Sequence, residues 1–245
     1  MSGKRQKLLE PAFLLHHRPW SDTSRILDLM TRAHGRVTLF AHGARRPKSP
    51  LRAVLRPFLP LLVSWSGPAD GGTLTSAETA EGSFSLPPER LMSGFYLNEL
   101  MLRLLPKEDR HEALYDAYAA ALRQLADGAE QAALRSFESV LLEELGYAVD
   151  LARDAGSGRP LESDRYYHFE PGRGVIAVRE ADPAPGADAY AGRDVIGVAH
   201  GDFGQAPVLK AARRIYGAAI AHCLEGRGLA SREVMLAMRR REQGG

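Results

Sequence analysis

Apolar residues recur with a period near two over the first 80 residues, and with a period of three to four from Pro87 to Leu145. No single regular element satisfies both periods, because side chains alternate across a strand but return to one face of a helix every third or fourth residue. A chain that switches between them must build a strand-based part and then a mainly helix-based part. The expected class is therefore α+β. In the first part, Ala12–His16, Arg25–Met30, Arg36–Ala41 (entered through the His34-Gly35 turn), Phe58–Trp65 and Thr73–Ser76 read as strands. Pro57 and Pro60 mark the fourth as an edge or a bend. Five short strands within about 75 residues suit a small closed or nearly closed barrel. The OB-fold is the commonest five-stranded candidate, and an SH3-like barrel fits the pattern almost as well.

In the second part, Pro87-Pro88-Glu89 starts a helix whose apolar stripe runs from Leu91 to Leu105 and stops at Pro106. Asp109 can cap a second helix carrying Leu114, Tyr118, Leu122 and Leu125. A third spans about Glu130 to Leu145 and ends at Gly146, where a left-handed residue is wanted. Tyr166–Phe169 and Val175–Val178 flank Glu170–Gly174 as a small β-hairpin, and Glu180 to Gly192 reads as a surface loop. Helicity returns near Pro207 and carries Cys223 on its apolar stripe, as core packing. Ser231 can cap a last helix that closes on Arg239-Arg240-Arg241. The expected domains are 1–80, a barrel, and 81–245, a helical domain. The latter holds a hairpin and loop insertion over about 151–205 and basic terminal helices over about 207–241. The boundary lies between Ala77 and Pro88.

The net charge of +2 conceals an asymmetry. Residues 1–80 carry 12 Lys+Arg against 5 Asp+Glu, a net of +7; residues 81–204 carry 12 against 22, a net of −10; residues 205–245 carry 8 against 3, a net of +5. A basic first third suits an acidic partner such as nucleic acid. Its densest stretch, His42–Arg56, places Arg45, Arg46, Lys48, Arg52 and Arg56 after the third strand in a loop stiffened by prolines, with Arg36 before that strand. Guanidinium forks match phosphate oxygens, so this loop is the expected phosphate-reading surface. Of the nearby aromatics, Phe13, Phe40, Phe58 and Trp65 read as core, and Trp20 alone reads as a loop residue able to stack on a base.

Catalytic signatures are scarce. Asp202-Phe203-Gly204 lacks the rest of a kinase, Gly156-Ser157-Gly158 and Gly172-Arg173-Gly174 lack a dinucleotide site's context, and phosphate-loop, zinc-protease and nucleophile-elbow motifs are missing. His200 and Asp202 are the best remaining acid–base pair, and helix-end or solvated roles explain them better. The expectation is a protein that is not an enzyme and needs no cofactor or metal. A single cysteine forms no internal disulfide and no four-cysteine metal site. The longest apolar run, Phe58–Val63, falls far short of the roughly 20 residues that span a bilayer. A cytoplasmic location without membrane contact is expected.

Phe13–Ser24 with His34–Val37 and Gly43–Arg46, Pro57–Leu62, Ser93–Leu100, Leu134–Glu138 with Leu142–Tyr147, and Leu229–Glu233 form a set of motifs in a fixed order. Together they resemble the bacterial recombination and repair family RecO. The resemblance covers nearly the whole chain in order. It implies an N-terminal OB-fold, a C-terminal helical domain and no catalytic centre. It also implies a recombination mediator that binds single- and double-stranded DNA, anneals strands coated with the single-strand-binding protein SSB, and with RecR helps load RecA. Such a protein would associate with the nucleoid when acting. The family's basic surface maps onto Arg36, Arg45, Arg46, Lys48, Arg52 and Arg56. Its groove for the acidic, apolar SSB tail needs a cation, for which Arg135 is the candidate, with pairing to Glu138 or Glu143 as the competing role. Some members hold a four-cysteine zinc site after the third helix. This chain cannot, so its hairpin is expected to hold by packing alone. Two other readings compete: an RNA-binding OB protein, and a protein-binding adaptor that uses the acidic middle third.

Overall fold

A computed structural model describes residues 7–82, 85–178, 188–231 and 233–234, with the side chains of 7 and 8 excepted. The expected terminal run through Arg239-Arg240-Arg241 and most of the 180–192 loop lie outside them. The chain forms two compact units, residues 1–128 with 229–245, and residues 129–228.

The first unit begins with strands β1 (Lys7–Pro19), β2 (Arg25–Thr31), β3 (Gly35–Ala41), β4 (Pro60–Ser66) and β5 (Asp70–Thr79), with a one-turn helix α1 (Leu51–Val54) between β3 and β4. They close as β1-β2-β3-β5-β4, with β4 returning to β1. The β3–β5 pair is parallel and every other pair antiparallel. This is the OB-fold connection, and it decides between the two barrels that alternation alone left open. Alternation then fixes the faces. Ala12 and Leu14, Leu27 and Leu29, Val37 and Leu39, Leu61, Val63 and Trp65, and Leu74 fill the interior.

The long strand β1 pairs with both neighbours, and its register slips between Leu14 and His16. Such a bulge leaves a backbone group outside the ladder. Here it is the carbonyl of Leu15, which accepts a hydrogen bond from Asn98 Nδ2 at 2.9 Å. Asn98 Oδ1 in turn accepts from the Tyr118 hydroxyl at 2.5 Å. All three residues are buried. Asn98 belongs to α2 (Leu91–Leu104) and Tyr118 to α3 (Glu112–Ala126), so this short chain docks both helices on the barrel's outer wall. Phe13, facing outward, packs on Tyr115 and Tyr118 with centroids 5.3 and 5.0 Å away. Gly94 lets α2 approach closely, since a Cβ there would sit 2.7 Å from the Phe58 ring. The segment at 229–231 joins this unit through Glu99, which accepts from the Ala230 and Ser231 amides and the Ser231 hydroxyl. Ser231 therefore lies inside its helical turn as a ligand of Glu99 and is not the cap expected of it. Asp109 likewise leaves the cap of α3 to His111.

The second unit contains α4 (Glu130–Glu144), β6 (Tyr166–Glu170), β7 (Gly174–Ala177), β8 (Tyr190–Ala191), α5 (Gly192–His200) and α6 (Ala206–Cys223). The expected hairpin gains a third strand, in the order β7-β6-β8. The sequence reading missed α5 altogether. Gly146 takes the left-handed conformation expected, φ 76°. Cys223 is only partly buried, where core packing had been expected. Packing alone does not hold the hairpin region. The buried carboxylate of Asp154 accepts from the Gly156 and Ser157 amides, the Ser157 hydroxyl and the Ala177 amide of β7, at 2.5 to 3.2 Å. Among the described residues no helix is long and apolar enough to cross a membrane.

Burial raises the Asp154 carboxyl pKa, but the hydrogen bonds from Ser157, Gly156 and Ala177 together outweigh it and leave the group below its ordinary value of 3.8. A depressed carboxylate adds stability above its unfolded value, and loses it as the pH falls through the folded one. Asp154→Asn should therefore flatten the decline of Tm between about pH 5 and 2 while lowering Tm at pH 7, by thermal melts across that range. Asn98→Leu leaves the Leu15 carbonyl buried and unpaired, so chemical denaturation should show a loss of about 1–3 kcal/mol.

Candidate nucleic-acid interface

The basic segment is a run of tight turns. Arg46 N donates to Gly43 O, Ser49 N to Arg46 O, and Arg52 N to Ser49 O, at 3.0 to 3.2 Å. Leu51 and Val54 of α1 then pack against the barrel core. The cations therefore project from a braced surface with few backbone states to lose on binding. Arg46, Lys48, Arg52 and Arg56 are exposed, and none makes a side-chain hydrogen bond or ion pair among the described residues. Arg45 is also exposed but partly committed. Its amide donates to Thr23 O at 2.8 Å and its guanidinium to Ser21 O at 2.6 Å, which ties the loop to the β1–β2 turn.

Arg36 stands apart. Its guanidinium donates to the carbonyl of Leu102 on α2, where it is half-buried. Five residues along β3, at about 3.3 Å each, separate it from the loop. The structure thus brings together Arg45, Arg46, Lys48, Arg52 and Arg56 along one segment and leaves Arg36 at the other end of its strand. Arg135 lies in the second unit, with its side chain 7% exposed and bonded at 2.7 Å to Glu138, itself 1% exposed. The competing role named for it, pairing along its helix, is the one observed.

Near the basic segment, Arg18 and His42 add to the predicted groups, and Phe40, expected in the core, is instead half-buried on the outer face. Arg18, on β1, is exposed and unpaired among the described residues. Phe40 shares the outward face of β3 with Arg36 and Thr38, and lies between Trp20 and His42. The parity that sends Val37, Leu39 and Ala41 inward was the signal for it. Phe13, Phe58 and Trp65 are buried as expected, and Trp20 is 60% exposed. His42 also opens onto a groove of about 570 Å³ between the loop and β5, walled by Arg46, Lys48 and Leu51 and floored by Thr75 and Ser76. His17, at the same end of β1, is held below its ordinary 6.5 by burial first, and then by the Arg25 and His16 charges. His17 is therefore neutral at pH 7 and leaves the positive potential here to arginine and lysine.

As a catalytic alternative, His200 and Asp202 are both exposed at the end of α5, and no hydrogen bond joins them. Among the described residues no three His, Cys, Asp or Glu side chains gather where a metal could be held.

The chain contains two tryptophans, and the structure places Trp20 in solvent and Trp65 in the barrel interior. Acrylamide quenching should resolve one accessible and one protected indole, and Trp20→Phe should abolish the accessible component.

Residues 6–83 match the model of the recombination protein O N terminal domain, and residues 87–233 that of the recombination protein O C terminal domain. The chain is 43% identical over 235 residues to the DNA repair protein RecO of Aromatoleum aromaticum, covering 96% of this chain and 98% of that one. It is 39% identical over 237 residues to DNA repair protein RecO of Azoarcus sp., covering 96% and 98%. It is 40% identical over 225 residues to DNA repair protein RecO of Yersinia pestis, covering 91% and 92%. With both family models matched in order on a closed OB barrel and a helical region, the chain belongs to the RecO family.

Proposed function

We propose that this chain is a non-enzymatic mediator of DNA repair and recombination. It binds single- and double-stranded DNA through the basic face of its barrel, anneals complementary strands, and with RecR helps load RecA onto SSB-coated DNA in the bacterial cytoplasm, at the nucleoid. The relatives carrying the name DNA repair protein RecO support the biological setting. The single observation that carries the DNA-binding step is the set of free cations, Arg46, Lys48, Arg52 and Arg56, on a braced loop. Guanidinium and ammonium groups there meet phosphates without first breaking an internal ion pair. They read backbone rather than sequence, as a protein acting at any gap or break requires. Annealing fits the same chemistry, since neutralised phosphates let two complementary strands approach.

The SSB tail would dock on the second unit. Arg135 serves it only by exchanging Glu138 for the tail's carboxylate, because the two are already paired out of water. Truncating Arg135 would remove one partner of the buried Glu138 carboxylate from within α4, so it reports on folding before it reports on docking.

The test is fluorescence anisotropy of labelled single-stranded DNA across a salt series, comparing wild type with Arg46→Glu/Lys48→Glu. Arg45 is left intact because it holds the Ser21 carbonyl. The variant should bind more weakly to every sequence, with a log K against log[salt] slope shallower by about 2. Its Tm should stay within about 2 °C of wild type, since exposed unpaired charges contribute little to folding. Wild type that fails to bind at low salt would overturn the proposal and favour the protein-binding adaptor.

A further inference from the structure

The phosphate-reading loop does not account for Trp20. A large indole 60% exposed at a turn forgoes burial that a smaller residue would not need, yet it is held in place. Its amide donates to Ser24 O at 3.1 Å, closing the turn, and Arg45 clamps that turn through Thr23 and Ser21. Phe40 meets the indole at 5.2 Å and 64°, an edge contact that leaves indole surface open. On the other side of Phe40, His42 lies nearly parallel to it, 6.5 Å away and inclined by 12°. The three rings form a row on the outer face, and its His42 end enters the groove beside Arg46 and Lys48. Trp20 and His42 are exposed and Phe40 half-buried, whereas Phe13, Phe58 and Trp65 are consumed by packing.

We propose that Trp20, Phe40 and His42 are a stacking platform for the unpaired bases of a single DNA strand whose phosphates follow the basic loop. This rests on the DNA-binding reading above and adds to it a basis for telling single strands from duplex. Phosphate contacts are available on either form. A base can lie on a side-chain ring only when its face is free, and a duplex buries those faces against neighbouring pairs. Stacking is tolerant of sequence, because every base has a π-face. The arrangement therefore selects strandedness without selecting sequence. The turn carrying Trp20 and the loop carrying the cations are tied by Arg45, so both contacts are presented together and little ordering remains to be done on binding.

The test compares wild type, Trp20→Ala and Trp20→Phe with three labelled probes: a thymidine oligonucleotide of about 20 residues, an abasic strand of the same length, and a duplex, lengths that span a typical OB site. Thermal melts of each variant confirm folding. Trp20→Ala should weaken thymidine-strand binding about tenfold or more and leave abasic-strand and duplex binding within about twofold, while Trp20→Phe should recover most of the loss. The wild-type indole emission should be quenched by the thymidine strand and not by the abasic one. Equal losses on all three probes, or no loss on the thymidine strand, would overturn the platform. If wild type nonetheless binds all three probes with a steep salt dependence, the phosphate-reading function stands without it. Absence of binding to any probe would overturn both.

Discussion

One carbonyl organises the first unit. The bulge in β1 pushes Leu15 O out of the ladder and into an apolar wall, where an unmatched acceptor is costly. Asn98 on α2 meets it, and Tyr118 on α3 meets Asn98. Each group in the chain has its partner only when both helices sit on β1, so the interaction fixes where the helices go as well as holding them there. The packing of Phe13 on Tyr115 and Tyr118, and the close approach permitted by Gly94, then follow from that placement.

The consequence for function is a division of the barrel's outside. The wall carrying Phe13 is covered by helices. The β1–β2 turn, the outward residues near the end of β3 and the β3–β4 segment keep exposed cations and rings. The β4–β5 connection, Gly67–Ala69, is too short to form an arm, so the long basic segment between β3 and β4 supplies the one that lines the groove. Tight turns and the Arg45 tie brace it against the barrel.

Much of this was legible in the residues, and the exceptions have physical causes. Alternation located all five barrel strands because one face of each is interior and the other is not. It underestimated β1, whose Pro11 and bulge interrupt the pattern. The three-to-four period located α2, α3, α4 and α6. It missed α5, a nine-residue helix containing Gly192 and Gly197. Glycine weakens a helix taken alone, but a Cβ at Gly197 would stand 2.7 Å from Val208 of α6, so close packing outweighs propensity there. The free cations of the loop were visible as a charge run after a strand. The commitment of Arg36 to Leu102 O was not, because its acceptor lies 66 residues away. The same holds for Asp154, whose link to Ala177 spans 23 residues and which supplies by hydrogen bonds the bracing expected of packing. The pairing of Arg135 with Glu138 could be read from their spacing, whereas its depth of burial could not.

On the proposed reading, nucleic acid is met by the β1–β2 turn and the β3–β4 segment of the barrel. Hydrogen–deuterium exchange of the full chain, with and without a saturating single-stranded oligonucleotide, is the decisive measurement. Added protection should concentrate in residues 18–25 and 40–56, with residues 129–228 unchanged. Protection confined to residues 129–228, with the barrel segments exchanging as in the free protein, would contradict it.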